Sequence, residues 1–168
     1  QAQAVTAAST DDALPLLVSV CIEINGENIA LMATDRYRLA IANLTWEPED
    51  PQISARILVR ASRLSDIAKS LGSVGNVRMT LDTTGRTGLI GFRAADRQNV
   101  ARLIDGDYPQ VRALFPDTVN GYAVIDRLML LDAIKRARLV VEKNSAVRLS
   151  FSEGSVVLDA GQNDSAQT

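Results

Sequence analysis

The sequence predicts an α+β fold, with helices on one face of antiparallel sheets. Three times along its 168 residues, a helical stretch is followed by a linker and by two short strands joined by a turn. The helical stretches repeat apolar residues every three or four positions, whereas the strands alternate apolar and polar residues. Such strands present one face to a helical layer and the other to solvent or to another layer. The pattern therefore favours helices segregated to one side of the sheets.

The first unit begins with a predicted helix over residues 2–9. Two predicted strands, 16–24 and 29–33, flank the dipeptide Asn25-Gly26. Asn-Gly between alternating strands is the strongest short-range signal for a β-hairpin. Cys21 lies within the first of these strands, where we expect it to be a small buried hydrophobe.

The second and third units repeat the order of the first. For the second helix, Ser62 is a suitable N-cap and Gly72 a suitable C-cap, because the hydroxyl accepts helix N–H groups and glycine adopts positive φ. The predicted elements are helix 61–71 with strands 77–81 and 89–92 around Gly85, and helix 126–141 with strands 147–151 and 156–158 around Glu153-Gly154.

Residues 33–40 have a composition that burial explains poorly. They read Ala-Thr-Asp-Arg-Tyr-Arg-Leu-Ala and directly follow a predicted apolar strand. Arginine and aspartate are rarely buried unless they are paired. We therefore predict that this stretch forms the lip of a binding site.

Residues 105–116 are a second unusual segment, with two prolines but neither a helical face nor strand alternation. Proline keeps the residue before it out of the helical region, so we expect residues 108–116 to form an irregular, partly extended connector. Its apolar side chains, including Tyr108 and Phe115, indicate that it packs along a surface and lines a groove. We place a domain boundary here, which gives domains 1–115 and 116–168.

The composition excludes several kinds of chemistry. The chain has no histidine and one cysteine, which rules out histidine triads, histidine metal sites and thiolate zinc sites. Acidic residues at 11–12, 47–50 and 105–107 lie in turn-like segments, where carboxylates are solvated or cap helices. We therefore expect no catalytic residue, no metal and no cofactor.

Two motifs carry a resemblance to a known family. Residues 34–40 read Thr-Asp-Arg-Tyr-Arg-Leu-Ala, and residues 103–109 read Leu-Ile-Asp-Gly-Asp-Tyr-Pro. In this order with the repeat, the two motifs are similar to those of the bacterial sliding clamp, the β processivity subunit of DNA polymerase III. The resemblance covers essentially the whole chain. It implies repeated helix-plus-antiparallel-sheet units of the DNA clamp fold. It also implies that residues 1–115 are a middle domain lacking its first strand, and that 116–168 begin a third domain.

The resemblance further implies a non-catalytic processivity factor, a ring that encircles duplex DNA without sequence specificity. In the family a pocket takes a short linear peptide from the replicative polymerase, the clamp loader and repair polymerases. The matching positions are Leu17, Thr34, Arg36, Tyr37, Arg38, Leu39, Pro109 and Leu114. Apolar members would hold leucine or phenylalanine anchors, and the arginines would meet peptide carbonyls or acidic residues.

The family's inner surface faces DNA with basic helices. The matching side chains here are Arg63, Lys69, Lys135, Arg136 and Arg138. The resemblance also implies a homodimer for the full-length protein and a bacterial, nucleoid-associated protein of the cytoplasm. The chain's apolar runs fall well below the roughly 20 residues of a membrane span, and no signal segment opens it, so we expect no membrane partner.

Two other functions remain open at this point. One is a stand-alone peptide-binding adaptor with no role on DNA, because the pocket residues alone would suit it equally well. The other is an enzyme with a carboxylate site around Asp105 and Asp107, which would need a metal or a substrate pocket.

Overall fold

The computed structural model describes residues 2–72, 75–82, 87–115, 118–119, 121–141 and 146–159. The chain divides into two compact units, Gln1–Pro116 and Asp117–Thr168, and each is described by itself. The turn predicted around Gly85 lies outside the described residues.

The first unit is an α+β structure built on one antiparallel sheet, as predicted. Its strands run in the order β3-β2-β1-β4-β7-β6-β5. The elements are α1 (Ala2–Val5), β1 (Ser19–Asn25), β2 (Asn28–Thr34), β3 (Leu39–Thr45), β4 (Ser54–Arg60), α2 (Ala61–Leu71), β5 (Arg78–Leu81), β6 (Leu89–Ala94), β7 (Arg97–Ile104) and a 3-10 helix (Val111–Leu114).

The main core lies between the two helices and one face of this sheet. Ile22 of β1 is paired with Leu31 of β2 on one side and with Ile57 of β4 on the other. Helix α2 buries its apolar face, which includes Leu64 and Ile67, against the same core. Since successive strand residues point to opposite faces, this core takes alternate residues of each strand.

The opposite face of the sheet carries a second apolar cluster, here called the outer cluster. It consists of the buried residues Cys21, Met32, Leu58, Tyr108 and Val111. The last two belong to the connector, so the connector covers the sheet face that the helices leave open. Cys21 is fully buried, as predicted.

Strands β3, β4 and β7 were not predicted. In β4, Arg56 and Arg60 are exposed, and in β7 the exposed residues include Arg97 and Arg102. These polar positions interrupt the apolar alternation on which strand prediction depends. In this unit, three strands therefore follow α1 before β4, three follow α2, and β4 runs directly into α2.

The C-terminal end of the first helix and the N-cap of the second differ from prediction. Helix α1 ends at Val5 rather than at residue 9, and a tighter turn follows in which the Ala8 N–H bonds the Val5 carbonyl at 3.2 Å. The N-cap of α2 is Arg60, not Ser62, because β4 runs straight into the helix. The Ala61 N–H is satisfied instead by the Val18 carbonyl at 2.9 Å.

Gly72 caps the C-terminus of α2, as predicted. It has φ +65°, and its N–H bonds the carbonyls of Ala68 and Lys69. The connector was predicted to be partly extended, but residues 111–114 form a 3-10 helix that buries Val111. The apolar side chain accounts for this difference, because one turn of helix directs Val111 into the outer cluster.

The second unit contains α3 (Arg127–Val140) and a hairpin of β8 (Arg148–Ser152) and β9 (Ser155–Asp159). Asp126 is the N-cap of α3 and accepts the N–H groups of Leu128 and Met129 at 2.9 and 2.8 Å. The hairpin turns at Glu153-Gly154, as predicted, with Gly154 at φ +71°. No residue of α3 is buried within the described part of this unit.

Gly106 provides a test of how the connector leaves β7. Its φ is +143°, and a Cβ there would lie 2.6 Å from Cδ2 of Leu16. We expect Gly106→Ala to lower the free energy of unfolding by about 1–3 kcal/mol through backbone strain. Chemical denaturation measures this difference.

Gly75→Ala is the matched control, because a Cβ at Gly75 meets nothing within 4 Å and its φ is not positive. We expect that change to stay within about 0.5 kcal/mol of the parent chain. Equal losses in the two variants would contradict the role given to Gly106.

Candidate functional site

The loop between β2 and β3 is held closed by Thr34, the last residue of β2. The Thr34 hydroxyl donates to the Arg38 carbonyl at 2.7 Å and accepts the Arg36 N–H at 3.1 Å. Threonine hydroxyls favour such local bonds at turns. The loop therefore has a fixed shape before any ligand arrives.

Asp35 organises the tip of the same loop. Its Oδ1 accepts the backbone N–H groups of Tyr37 and Arg38 at 3.0 and 2.7 Å, and its Oδ2 accepts the Arg38 Nε at 2.9 Å. The backbone bond from Arg38, followed by that residue's guanidinium and the Tyr37 N–H, lowers the pKa of Asp35 below its usual value. The carboxylate thus stays ionised and remains paired with the Arg38 guanidinium.

The loop directs its remaining side chains outward. Arg36 has φ +81°, an unusual backbone conformation for a residue other than glycine. The Tyr37 side chain is 90% exposed. An exposed aromatic held on a strained, hydrogen-bonded loop is a rigid contact surface.

Tyr108 joins this loop to the connector. Its Oη accepts the Thr34 N–H at 3.0 Å across 74 residues of sequence, and its ring is 3% exposed. Burial raises the pKa of Tyr108 to about 12, although the bond from Thr34 acts in the opposite direction. The phenol therefore stays protonated at ordinary pH and supplies a neutral acceptor.

The apolar floor beside this bond is the outer cluster with half-buried residues around it, among them Leu16, Leu39, Ile41 and Ile104. Leu39 was predicted as a site residue and packs here. The predicted Leu17 is half-buried but does not belong to this cluster, to which its neighbour Leu16 contributes instead.

The other predicted site residues lie on the exposed side of the connector. Pro109 is exposed, and Leu114 is 72% exposed. The structure therefore brings the loop, Leu39 and the connector together within one unit, with Tyr37 and Leu114 open to solvent.

A charged network fixes the connector to the sheet. Arg56 Nη2 donates to the Tyr108 carbonyl at 3.3 Å. Glu23 forms ion pairs with Arg56 at 3.3 Å and with Arg112 at 3.0 Å. These contacts hold both ends of the segment that covers the outer cluster.

Several residues of this site were not among the predicted ones, and Leu16, Tyr108 and Glu23 illustrate why. Leu16 and Tyr108 supply the floor, and Glu23 anchors the connector. The signal for Tyr108 was present, because an apolar ring before proline is unsuited to a free linker. No sequence pattern marked Glu23 as a site residue, since a single acidic residue in an alternating strand is ordinary.

The predicted DNA-facing residues lie on two helices. Arg63 and Lys69 are exposed on α2, away from its buried face. On α3, Lys135 and Arg138 are exposed, and Lys135 Nζ lies 3.9 Å from Asp132. Arg136, also exposed, lines a groove between α3 and the β8-β9 hairpin.

Two features are absent from the described residues. No helix there has both the length and the apolar character that crossing a membrane requires. In the same residues, no group of three or more Cys, Asp or Glu side chains is placed to hold a metal ion.

The fold is that of DNA polymerase sliding clamps. The DNA polymerase sliding clamp of Bacillus subtilis superimposes with a TM-score of 0.84 at 23% identity, covering 96% of this chain and 42% of that one. A Pseudomonas aeruginosa DnaN sliding clamp (DNA polymerase III subunit beta) bound to griselimycin gives a TM-score of 0.77 at 22% identity, covering 96% and 46%.

The sequence places the chain in a family. Residues 2–110 match the DNA polymerase III beta subunit, central domain, and residues 112–168 match its C-terminal domain. The chain belongs to the DNA polymerase III beta subunit family, which confirms the resemblance read from the two motifs.

Curated relatives agree with this assignment. The chain is 46% identical to the beta sliding clamps of Micrococcus luteus and Streptomyces coelicolor, over 165 and 166 residues. These alignments cover 98% of this chain but 53% and 44% of the two relatives. The chain thus spans about half the length of the curated relatives it matches.

The bond between Tyr108 and Thr34 can be tested by removing one hydroxyl. Tyr108→Phe leaves the buried Thr34 N–H without its acceptor, so we expect a loss of about 1–3 kcal/mol in the free energy of unfolding. Tyr37→Phe removes a hydroxyl from a ring that is 90% exposed, and we expect little change. The two values come from chemical denaturation, and similar losses in both would argue against the bond.

Proposed function

We propose that this chain is the middle domain and the beginning of the third domain of a sliding clamp. In the full-length homodimer it would help to encircle duplex DNA without sequence specificity. It would act as a non-catalytic processivity factor that tethers the replicative polymerase, the clamp loader and repair polymerases. Family membership supports this role, and we propose a cytoplasmic, nucleoid-associated location with it.

The proposed peptide binding rests on the contact between the two motif segments. The 34–38 loop and the connector meet through the Thr34–Tyr108 bond, directly beside the apolar outer cluster. A shallow apolar floor with an aromatic and cationic rim suits a short peptide with leucine or phenylalanine anchors. The griselimycin-bound relative supports the view that clamps of this fold bind ligands.

The rim residues have different roles in this proposal. Tyr37, at 90% exposure, offers a rigid contact with little entropy to lose. Arg36 is exposed and can meet peptide carbonyls or carboxylates. Arg38 is already paired with Asp35, so its main role is to shape the loop, and Thr34 holds that loop closed.

On the DNA side, we propose that α2 and α3 face the duplex. The exposed basic residues on them can attract phosphates without reading bases, which permits sliding. The net charge of −2 gives no overall attraction to DNA. The position of these helices, rather than total charge, would therefore supply the contact.

Peptide binding can be tested by replacing the exposed aromatic residue of the rim with a charged one. We expect Tyr37→Glu to weaken the binding of a fluorescent peptide with leucine and phenylalanine anchors by about 2 kcal/mol, the size of a hot spot. Tyr122→Glu is the matched control, since Tyr122 is 91% exposed in the other unit. Titration by fluorescence anisotropy would show the difference, and equal affinities for both variants would remove the proposed pocket.

DNA contact can be tested through its dependence on salt. In the full-length clamp, reversing Lys135 and Arg138 to glutamate should make the negative slope of log K against log salt shallower by about 2, since each phosphate contact contributes about 0.9 to its magnitude. The control reverses Arg93 and Arg102, which are exposed on the sheet.

Peptide affinity should stay unchanged in both DNA-test variants. An unaltered salt slope for the Lys135 and Arg138 variant would count against the helix surface. It would favour a peptide-binding adaptor that has no role on DNA.

A further inference from the structure

The connector covers the part of the outer sheet face that carries the outer cluster and leaves the rest of that face open. The covered part belongs to β1, β2 and β4, which contribute Cys21, Met32 and Leu58. On β6, Ile90 and Phe92 are buried in the main core, so the residues that alternate with them point to the outer face. Strands β5, β6 and β7 therefore present a surface to solvent on this side.

Three exposed arginines dominate this open surface, here called the arginine face. Arg78 of β5 is directly opposite Arg93 of β6, and Arg102 of β7 is opposite Leu89 of β6. No outward position of these three strands carries an acidic residue. Among the described residues, no ion pair joins any of the three arginines to a carboxylate.

The placement of Arg78 against Arg93 works against the stability of the sheet. Like charges on directly opposite residues of neighbouring strands repel each other. An arrangement that costs stability, with no compensating contact in the fold, is expected where a surface serves a function. An anionic ligand would replace this repulsion with attraction, because both guanidinium groups could bind its carboxylate.

The arginines lie at the two ends of an apolar strip. Its middle row is Gly91 of β6 opposite Val100 of β7, and Leu89 lies at the end that carries Arg102. Val100 is 52% exposed and Leu89 is 39% exposed, while the glycine leaves a shallow depression between its neighbours. Because each strand residue rises about 3.4 Å, the four residues from Leu89 to Arg93 set the two arginine rows about 14 Å apart.

This spacing selects the form of the ligand. In an extended segment, the side chains at positions i, i+2 and i+4 point to the same side and span about 14 Å. Acidic residues at i and i+4 would meet the two arginine rows, and an apolar residue at i+2 would lie on Gly91 and Val100. A nucleic acid fits less well, because it would place phosphates on the apolar strip and would find no aromatic ring at the outward positions for base stacking.

We propose that the arginine face binds an extended acidic segment of a partner protein, with acidic residues four positions apart and an apolar residue midway between them. The segment lies along β6. This site is distinct from the proposed peptide pocket, since β1 and β4 separate β2 and its loop from β7, β6 and β5 in the order of the sheet. It does not depend on a role on DNA.

The probe is a fluorescein-labelled peptide containing Glu-Thr-Leu-Thr-Glu, added to the 168-residue chain. We expect saturable binding by fluorescence anisotropy, weakening as added salt screens the charges. One control peptide replaces both glutamates with glutamine. A second keeps the composition but brings the acidic residues together, as Glu-Glu-Thr-Leu-Thr. Both controls should bind at least about tenfold more weakly than the probe.

Charge reversal identifies the site on the protein. We expect Arg93→Glu combined with Arg102→Glu to weaken probe binding at least about tenfold, because both arginine rows are reversed. Arg127→Glu is the matched control, since Arg127 is an exposed arginine of the other unit, and it should leave binding unchanged. Arg93→Glu by itself puts opposite charges on facing strands beside Arg78, so its melting temperature should not fall. That measurement separates loss of the site from loss of the fold.

Several results would overturn the proposal. These are equal binding of the probe and the respaced peptide, equal affinities of the reversed and Arg127→Glu variants, and a lower melting temperature for Arg93→Glu. Displacement of the probe by an excess of the peptide with leucine and phenylalanine anchors would assign it to the proposed pocket instead. A reversed variant that loses affinity for single-stranded or duplex DNA but keeps the probe would identify a nucleic acid as the ligand.

Discussion

The bond from the Thr34 N–H to the Tyr108 phenol is the contact on which the site depends. It is buried, and it joins segments 74 residues apart. Without it, the end of β2 would leave a backbone donor unpaired in an apolar cluster, at a cost of about 1–3 kcal/mol against the roughly 1 kcal/mol that such a bond contributes. The bond sets the position of the loop above β3 and the position of the connector above the sheet.

The site also depends on the sheet having two apolar faces. Most antiparallel sheets that pack helices on one side leave the other to water. Here the outer cluster makes the second face a small core, and the connector covers it. The ion pairs of Glu23 with Arg56 and Arg112 then fix the cover in place, so the floor and rim of the proposed pocket form one rigid surface.

The sequence predicted the parts of the fold that local patterns encode. Helix α2 was predicted with its observed bounds because its apolar residues recur at helical spacing and Gly72 follows as a C-cap. The strands β4 and β7 were missed, since exposed arginines interrupt their alternation. At the proposed site, the two motifs identified segments that the structure brings into contact, but no local pattern shows that Leu16 rather than Leu17 packs against the outer cluster. That choice depends on how the chain enters β1, where the Leu17 N–H bonds the Leu14 carbonyl.

The reactivity of the Cys21 thiol reports on the motion of the connector. It is the chain's one cysteine, it is fully buried beneath the connector, and burial raises the pKa of its thiol. A thiol in this state reacts with an alkylating reagent only when the cover lifts and water reaches the sulfur. The rate of its modification therefore measures how often the connector lifts from the sheet, through a residue of the native sequence.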